Sequence, residues 1–185
     1  MQFSEVFIEI HETYPKQTFR NRCEIFTEKG QMSLSIPVTK VFGNRTKTSQ
    51  VVINNAEKWQ LKHWRAIESA YLSSPFFLYY KDEVQDFFSG EHTKLLKFNL
   101  DLTNTLCRLI GIQIELQLTD NFILHPDNTN DFRNSIHPKK SPTISNFPEY
   151  MQVFSDRHEF IPNLSIIDLI FNLGPESKNY LENLI

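Results

Sequence analysis

Between Tyr14 and Arg22 the chain reads Tyr14-Pro15-Lys16-Gln17-Thr18-Phe19-Arg20-Asn21-Arg22: three cations, two amides and two aromatic rings, with no acid among them. The stretch lies between two segments patterned as strands. Guanidinium and ammonium groups held on a turn at a sheet edge suit the oxygens of a carboxylate or phosphate, so Lys16, Gln17, Arg20, Asn21 and Arg22 form a candidate anion site. The same composition also fits an ordinary solvated loop.

A second concentration runs from Asp131 to Lys140, with Arg133, His137 and Lys139 inside it. Asp131 and His137 have the types of an orienting carboxylate and a general base, while Arg133 and Lys139 could clamp an anion. A solvated loop is again the alternative. The third candidate is His63, placed in an apolar stripe by Trp59, Ala66, Ile67 and Ala70 at helical spacing. A histidine on an apolar face is ordinarily a core residue with its nitrogens bonded. Trp64, Arg65 and Glu68 crowd the same helix, however, and this gives His63 a second reading as a base facing a cleft shared with the cationic turn.

Other chemistry is weaker. Cys23 and His63 could pair as nucleophile and base, but Cys23 reads as a strand residue and a small buried hydrophobe, and Cys107 as core. Asp168, one turn from Leu164 and from Phe171, is read as pairing a cation such as those of the first turn, or capping backbone groups. No Gly-rich phosphate loop, His-Glu-x-x-His zinc motif or Gly-x-Ser-x-Gly elbow occurs. No cofactor and no metal are expected.

Composition sets the limits. A net charge of -3 over 185 residues argues against a nucleic-acid binder with a broad basic face, so any anion site must be local. Hydrophobic residues make up 40% of the chain and Phe supplies 16 of them, enough for a packed core. No run of about 18 apolar residues occurs, which excludes insertion of a membrane helix. The start lacks a signal-peptide pattern and the cysteines lack metal spacing, so a cytoplasmic setting is expected.

The elements that must position these residues read as α/β, a single domain with one mixed sheet covered by helices. Phe3 to Ile10 reads as a strand leading into the turn. Cys23–Thr27 and Met32–Val38 read as a hairpin, Val51–Ile53 as a short strand and Ile112–Leu118 as another. Three consecutive helices lie in the middle: one carrying His63, one from Pro75 to Gly90, and one whose stripe is Leu95, Asn99, Leu102, Leu106 and Leu109. From Thr119 to Glu149 the chain is rich in Asn, Asp, Ser and Pro, a long loop expected to act as a mobile cover over the site. Val153 and Phe154 suggest a final strand. A helix opening at Pro162 and another starting at Pro175 complete the C-terminus.

Taken in order, Lys16–Arg22, His63-Trp64-Arg65, Ala70-Tyr71, Ser74-Pro75-Phe76-Phe77, Ile136-His137-Pro138-Lys139, Tyr150-Met151-Gln152-Val153-Phe154 and Phe160–Pro175 resemble the WbqC-like protein family across nearly the whole chain. Trp64, Tyr150 and Gln152, inside these blocks, join the ligand-binding set. Members of the family are bacterial and some lie in gene clusters for surface polysaccharide such as O-antigen, which implies a role as a glycine (aminoacyl) transferase. No catalytic residue follows from the resemblance. Family members begin with a further strand and loop of the kind Tyr-x-Pro-Pro-x-Gln-Tyr, absent here. The domain over 1–185 is therefore expected to lack its first strand, leaving Phe3–Ile10 as an edge that invites a homodimer.

The functional expectation is a transferase acting on an anionic activated donor in surface-polysaccharide or cell-envelope synthesis. Lys16, Arg20, Arg22, Arg133 and Lys139 would bind the anion, and His63 or His137 would be the base. The alternative is a non-catalytic binding protein for a sugar nucleotide or an aminoacylated ligand.

Overall fold

The computed structural model describes residues 5–127 and 129–184. Within them the chain is α/β, but its strands form small sheets. β1 (Val6–Ile8) pairs in parallel with β6 (Leu116–Leu118), β2 (Arg22–Thr27) with β3 (Gly30–Ser35) antiparallel, and β4 (Val38–Thr39) with β5 (Val52–Ile53) antiparallel. The one mixed sheet expected from the sequence is thus three separate two-stranded ones. Pro37, with no N–H to give, separates β3 from β4 and stops the hairpin ladder.

The hairpin β2–β3 is the scaffold of the site. Gly30 closes it at a φ of 97°, which a side chain would resist. Alternation puts Ile25 and Leu34 into the larger core, while Phe26 on the opposite face meets the Phe154 ring edge-on at 5.5 Å. Both faces of the hairpin are covered.

Helices α1 (Trp59–Tyr71), α2 (Phe77–Gln85) and α3 (Leu95–Leu109) follow in series. On α1 the apolar stripe carries Trp64, Ile67, Ala70 and Tyr71 onto the hairpin. α3 lays Phe98 and Leu106 inward and keeps the Lys97–Asp101 pair outside at 2.7 Å. It ends where Gly111, at a φ of 72°, lets the N–H of Ile112 reach the Cys107 carbonyl at 2.8 Å. At the C-terminus, α4 (Ile166–Leu173) and α5 (Ser177–Glu182) are linked by a tight turn at Gly174, where the ring of Phe76 comes within 2.5 Å of where a Cβ would stand.

Several elements differ from expectation for local reasons. Phe3 and Ser4 lie outside the described residues, and the described part of the first strand pairs only over Val6–Ile8, so only Leu116–Leu118 of the strand expected from Ile112 finds a partner. Val153 and Phe154 form turns, not a strand. Ser155 Oγ accepts the Gln152 N–H at 3.0 Å, and the N–H groups of Arg157 and His158 both reach the Phe154 carbonyl at 3.0 Å. The helix read from Pro162 begins only at Ile166, because Asn163 holds a left-handed φ of 56°. Among the described residues the segment 119–149 carries no helix beyond turns at 133–135 and 138–139, and no helix is long and apolar enough to cross a membrane.

Candidate functional site

The cationic turn is built by its own side chains. Buried Thr18 caps the short 3-10 turn Phe19–Asn21, its Oγ1 accepting the Arg20 N–H at 3.1 Å and Arg20 Nη1 at 2.9 Å. Asn21 acts as a clamp, accepting from the Tyr14 hydroxyl at 3.0 Å and donating to the Ile36 carbonyl at 2.8 Å. Burial pushes the Tyr14 phenol up to about 12, against the pull of Arg20, so it donates as a neutral hydroxyl. Asn99 of α3 donates to the Arg20 carbonyl at 2.7 Å and ties the turn to the helix.

Behind the turn lies a cavity of about 400 Å³, walled by β2, β3, α1, α3 and the start of α4. Arg20, Asn21, Arg22 and His63 all line it. Arg20 is already neutralised by an ion pair with Glu12 and also donates to the Arg133 carbonyl at 3.4 Å. The Arg22 side chain donates through Nε to Ser35 Oγ at 3.3 Å and has no carboxylate partner among the described residues. That bond lies on the exposed face of the hairpin, with Glu24 and Ser33, opposite the Cys23 and Leu34 that line the cavity.

His63 packs edge-on against Trp59 at 5.2 Å and near Phe88 at 6.4 Å. Burial holds its imidazole below the usual histidine range, opposed by a bond to the Ser35 backbone, so the ring is neutral at pH 7 and has a lone pair to offer. Cys23 lines the same cavity, but burial pushes its thiol up to about 11, against a bond with Ser165. A thiol so held is not a thiolate nucleophile at neutral pH.

The remaining expected site residues lie elsewhere. Lys16 and Gln17 are exposed at the tip of the turn, Gln17 in a left-handed φ of 51°, and neither lines the cavity. Trp64 is buried in the core, stacked on Phe77 at 6.2 Å. In the 119–149 loop, Asp131 does not orient His137; it holds Arg133 through Nε at 2.9 Å and Nη2 at 2.6 Å, which pulls its carboxyl down to about 2. Arg133 also donates to the carbonyls of Ile123 at 2.8 Å and Leu124 at 3.1 Å and lies 3.8 Å from Glu9. Its donors are committed within the protein. His137 accepts the Lys139 N–H at 3.1 Å through Nδ1, and Lys139 is exposed. None of Asp131, Arg133, His137 and Lys139 lines the cavity.

Tyr150 and Gln152 belong to a buried knot. Asp168, fully buried, accepts from the Tyr71 hydroxyl at 2.9 Å, the Tyr150 hydroxyl at 2.6 Å and the Gln152 amide at 3.1 Å. Burial raises the Asp168 carboxyl above its usual range while these donors pull it back, and Tyr150 is raised by burial beside that charge. Asp168 thus pairs two phenols and an amide, where the sequence suggested a cation. Gln152 further exchanges two bonds with Ile161, at 2.9 and 3.0 Å. The knot fixes the start of α4, where Ser165, Ile166 and Ile167 wall the cavity.

Glu9, Glu12, Asn99, Thr103 and Ser165 were not among the site residues expected from the sequence. One signal was available: Asn99 stands inside the apolar stripe of its helix, and Thr103 follows one turn later. Among the described residues no cluster of His, Cys, Asp and Glu could hold a metal ion.

This chain, an α/β domain with a cavity behind its cationic turn, belongs to the WbqC-like protein family, which matches residues 1–140 and 141–180. It is similar to the uncharacterised protein Rv1507c of Mycobacterium tuberculosis, at 25% identity over 193 aligned residues that cover 91% of this chain and 83% of the relative. No solved structure matches.

Proposed function

We propose that the chain is a transferase of surface-polysaccharide or cell-envelope synthesis, and that the cavity behind the cationic turn binds its anionic activated donor. The observation that carries this reading is a neutral imidazole, His63, on the wall of the cavity that the cationic turn borders. For an aminoacyl donor, His63 takes the proton of an attacking hydroxyl or amine as its oxygen or nitrogen bonds to the donor's carbonyl carbon. The bond from that carbon to the leaving oxygen then breaks, and its electron pair stays on the oxygen, which departs as an anion. The His63 proton passes on to solvent.

A second reading has an observation of its own. Among the described residues the cavity lining contains no carboxylate, and its thiol is held protonated, which suits a binding protein without turnover. Incubating the protein with a panel of aminoacyl adenylates and sugar nucleotides, with hydroxylamine as acceptor, separates the two. The transferase reading expects donor consumption proportional to protein, falling about 100-fold in His63→Gln with donor binding retained. Saturable binding without consumption favours the binding protein.

A further inference from the structure

We propose that the turn from Lys40 to Lys47, with the neighbouring Lys16, is a docking surface for the anionic headgroups of a lipid bilayer, and that Val41 and Phe42 enter the apolar boundary beneath them. This surface lies outside the cavity, and neither reading depends on the other. Val41 is 49% and Phe42 61% exposed at the tip of the turn. The tip is braced from below. Through its hydroxyl, the fully buried Thr46 accepts the Phe42 N–H at 2.8 Å and donates to the Gly43 carbonyl at 2.8 Å, while its own carbonyl accepts the Tyr14 N–H at 2.9 Å. A turn fixed in this way holds Phe42 in water until a partner covers it.

Charge selects the partner. Between Glu12 and Glu24, and again between Glu28 and Glu57, the chain carries no acid. Arg45 and Lys47 are exposed and make no ion pair among the described residues, and Lys16 is exposed just beyond the bridge between Thr13 and Lys47. Lys40 donates to the Tyr14 carbonyl at 3.1 Å and lies 5.1 Å from the centre of that ring, which ties the turn to the chain leading to Lys16. The acids that precede the bridge are engaged: Glu12 pairs with Arg20, and Glu9 accepts the His11 and Glu12 N–H groups. An aromatic tip flanked by unpaired cations is the composition that an anionic membrane interface binds. Two other exposed apolar stretches have acids beside them instead. Leu78 and Tyr79 on α2 are followed by Asp82 and Glu83, and Phe122, Ile123 and Leu124 lie between Asp120 and Asp127. A single-stranded nucleic acid would need several rings along a basic groove, and a single ring on a turn is no such platform.

Co-sedimentation of the purified full chain tests this with vesicles of phosphatidylcholine alone and of phosphatidylcholine with about 30% phosphatidylglycerol. Binding is expected to the mixed vesicles only, and should weaken as salt rises. Phe42→Ser should lower the partition about tenfold, while Phe42→Leu retains most of it. Arg45→Gln and Lys47→Gln should each lower it about fivefold. Leu78→Ser, similarly exposed on α2, should leave it unchanged. Each variant replaces an exposed side chain, and near-ultraviolet circular dichroism checks that the fold is kept. Absence of binding to the mixed vesicles, equal binding to both kinds, or a loss in Leu78→Ser as large as that in Phe42→Ser overturns the proposal. So does polyuridylic acid that displaces the vesicles and binds Phe42→Ser as well as wild type.

Discussion

Two regions hold most of the site residues expected from the sequence, and the structure treats them in opposite ways. In the 119–149 loop the charges are spent on one another: Asp131 holds Arg133, Arg133 is bonded to two carbonyls beside Glu9, and His137 accepts from its own neighbour's backbone. Around the cavity, neutral side chains complete the framework, and the His63 imidazole lines a largely apolar space. Local density of ionisable residues therefore marks where charges can satisfy each other as readily as where they can act. A site needs groups whose partners are missing or arrive with the ligand.

The largest effect that would test this contrast is on stability. Asp168→Ala strands the buried Tyr71 phenol, the half-buried Tyr150 phenol and the buried Gln152 amide, and should cost roughly 3 kcal/mol in urea unfolding. Asp131→Ala breaks only a contact at the surface and should cost under about 1 kcal/mol. Similar losses at the two positions would erase the distinction. Between them lies Asn21→Ala, which frees the Tyr14 hydroxyl and the Ile36 carbonyl, and is expected to lower stability by about 1–2 kcal/mol by the same measurement.

A smaller effect, but one with opposite signs, comes from pH. The folded Asp168 carboxyl titrates above its usual 3.8, so the stability it contributes is complete below that value and is lost as pH rises through the folded one. Asp131 is drawn down to about 2, so its modest contribution is complete above 3.8 and is lost as pH falls toward 2. Wild type minus Asp168→Asn should therefore decline with rising pH, while wild type minus Asp131→Asn should climb and level off. Unfolding curves between pH 2 and 7 check both. Two differences of the same sign would contradict the burial assigned to Asp168.

The same contrast shows what could be read from the sequence. Three middle helices, the hairpin and the cationic turn follow from periodicity and Gly placement, because those signals are local. The joining of short strands is not local. Whether Ile112–Leu118 pairs over its length depends on a strand more than a hundred residues away, and Val153–Phe154 yields to turn bonds from Gln152 and Ser155. Arg20 and Arg22 look alike in the sequence, yet Glu12 neutralises the first while the second bonds Ser35 with no carboxylate partner among the described residues, a difference decided by tertiary contact. Gln152 looked like a ligand contact and proved to be a buried brace, since its polarity reveals nothing about which partners surround it.

The most direct test compares the two histidines in one experiment. Imidazole nuclear magnetic resonance of the full chain, titrated at pH 7 with the aminoacyl adenylates and sugar nucleotides of the donor panel, reports on the cavity through His63 and on the loop through His137. The account predicts that the His63 signals move saturably with at least one donor while those of His137 stay in place. Movement confined to His137, with His63 unchanged at saturation, would contradict it.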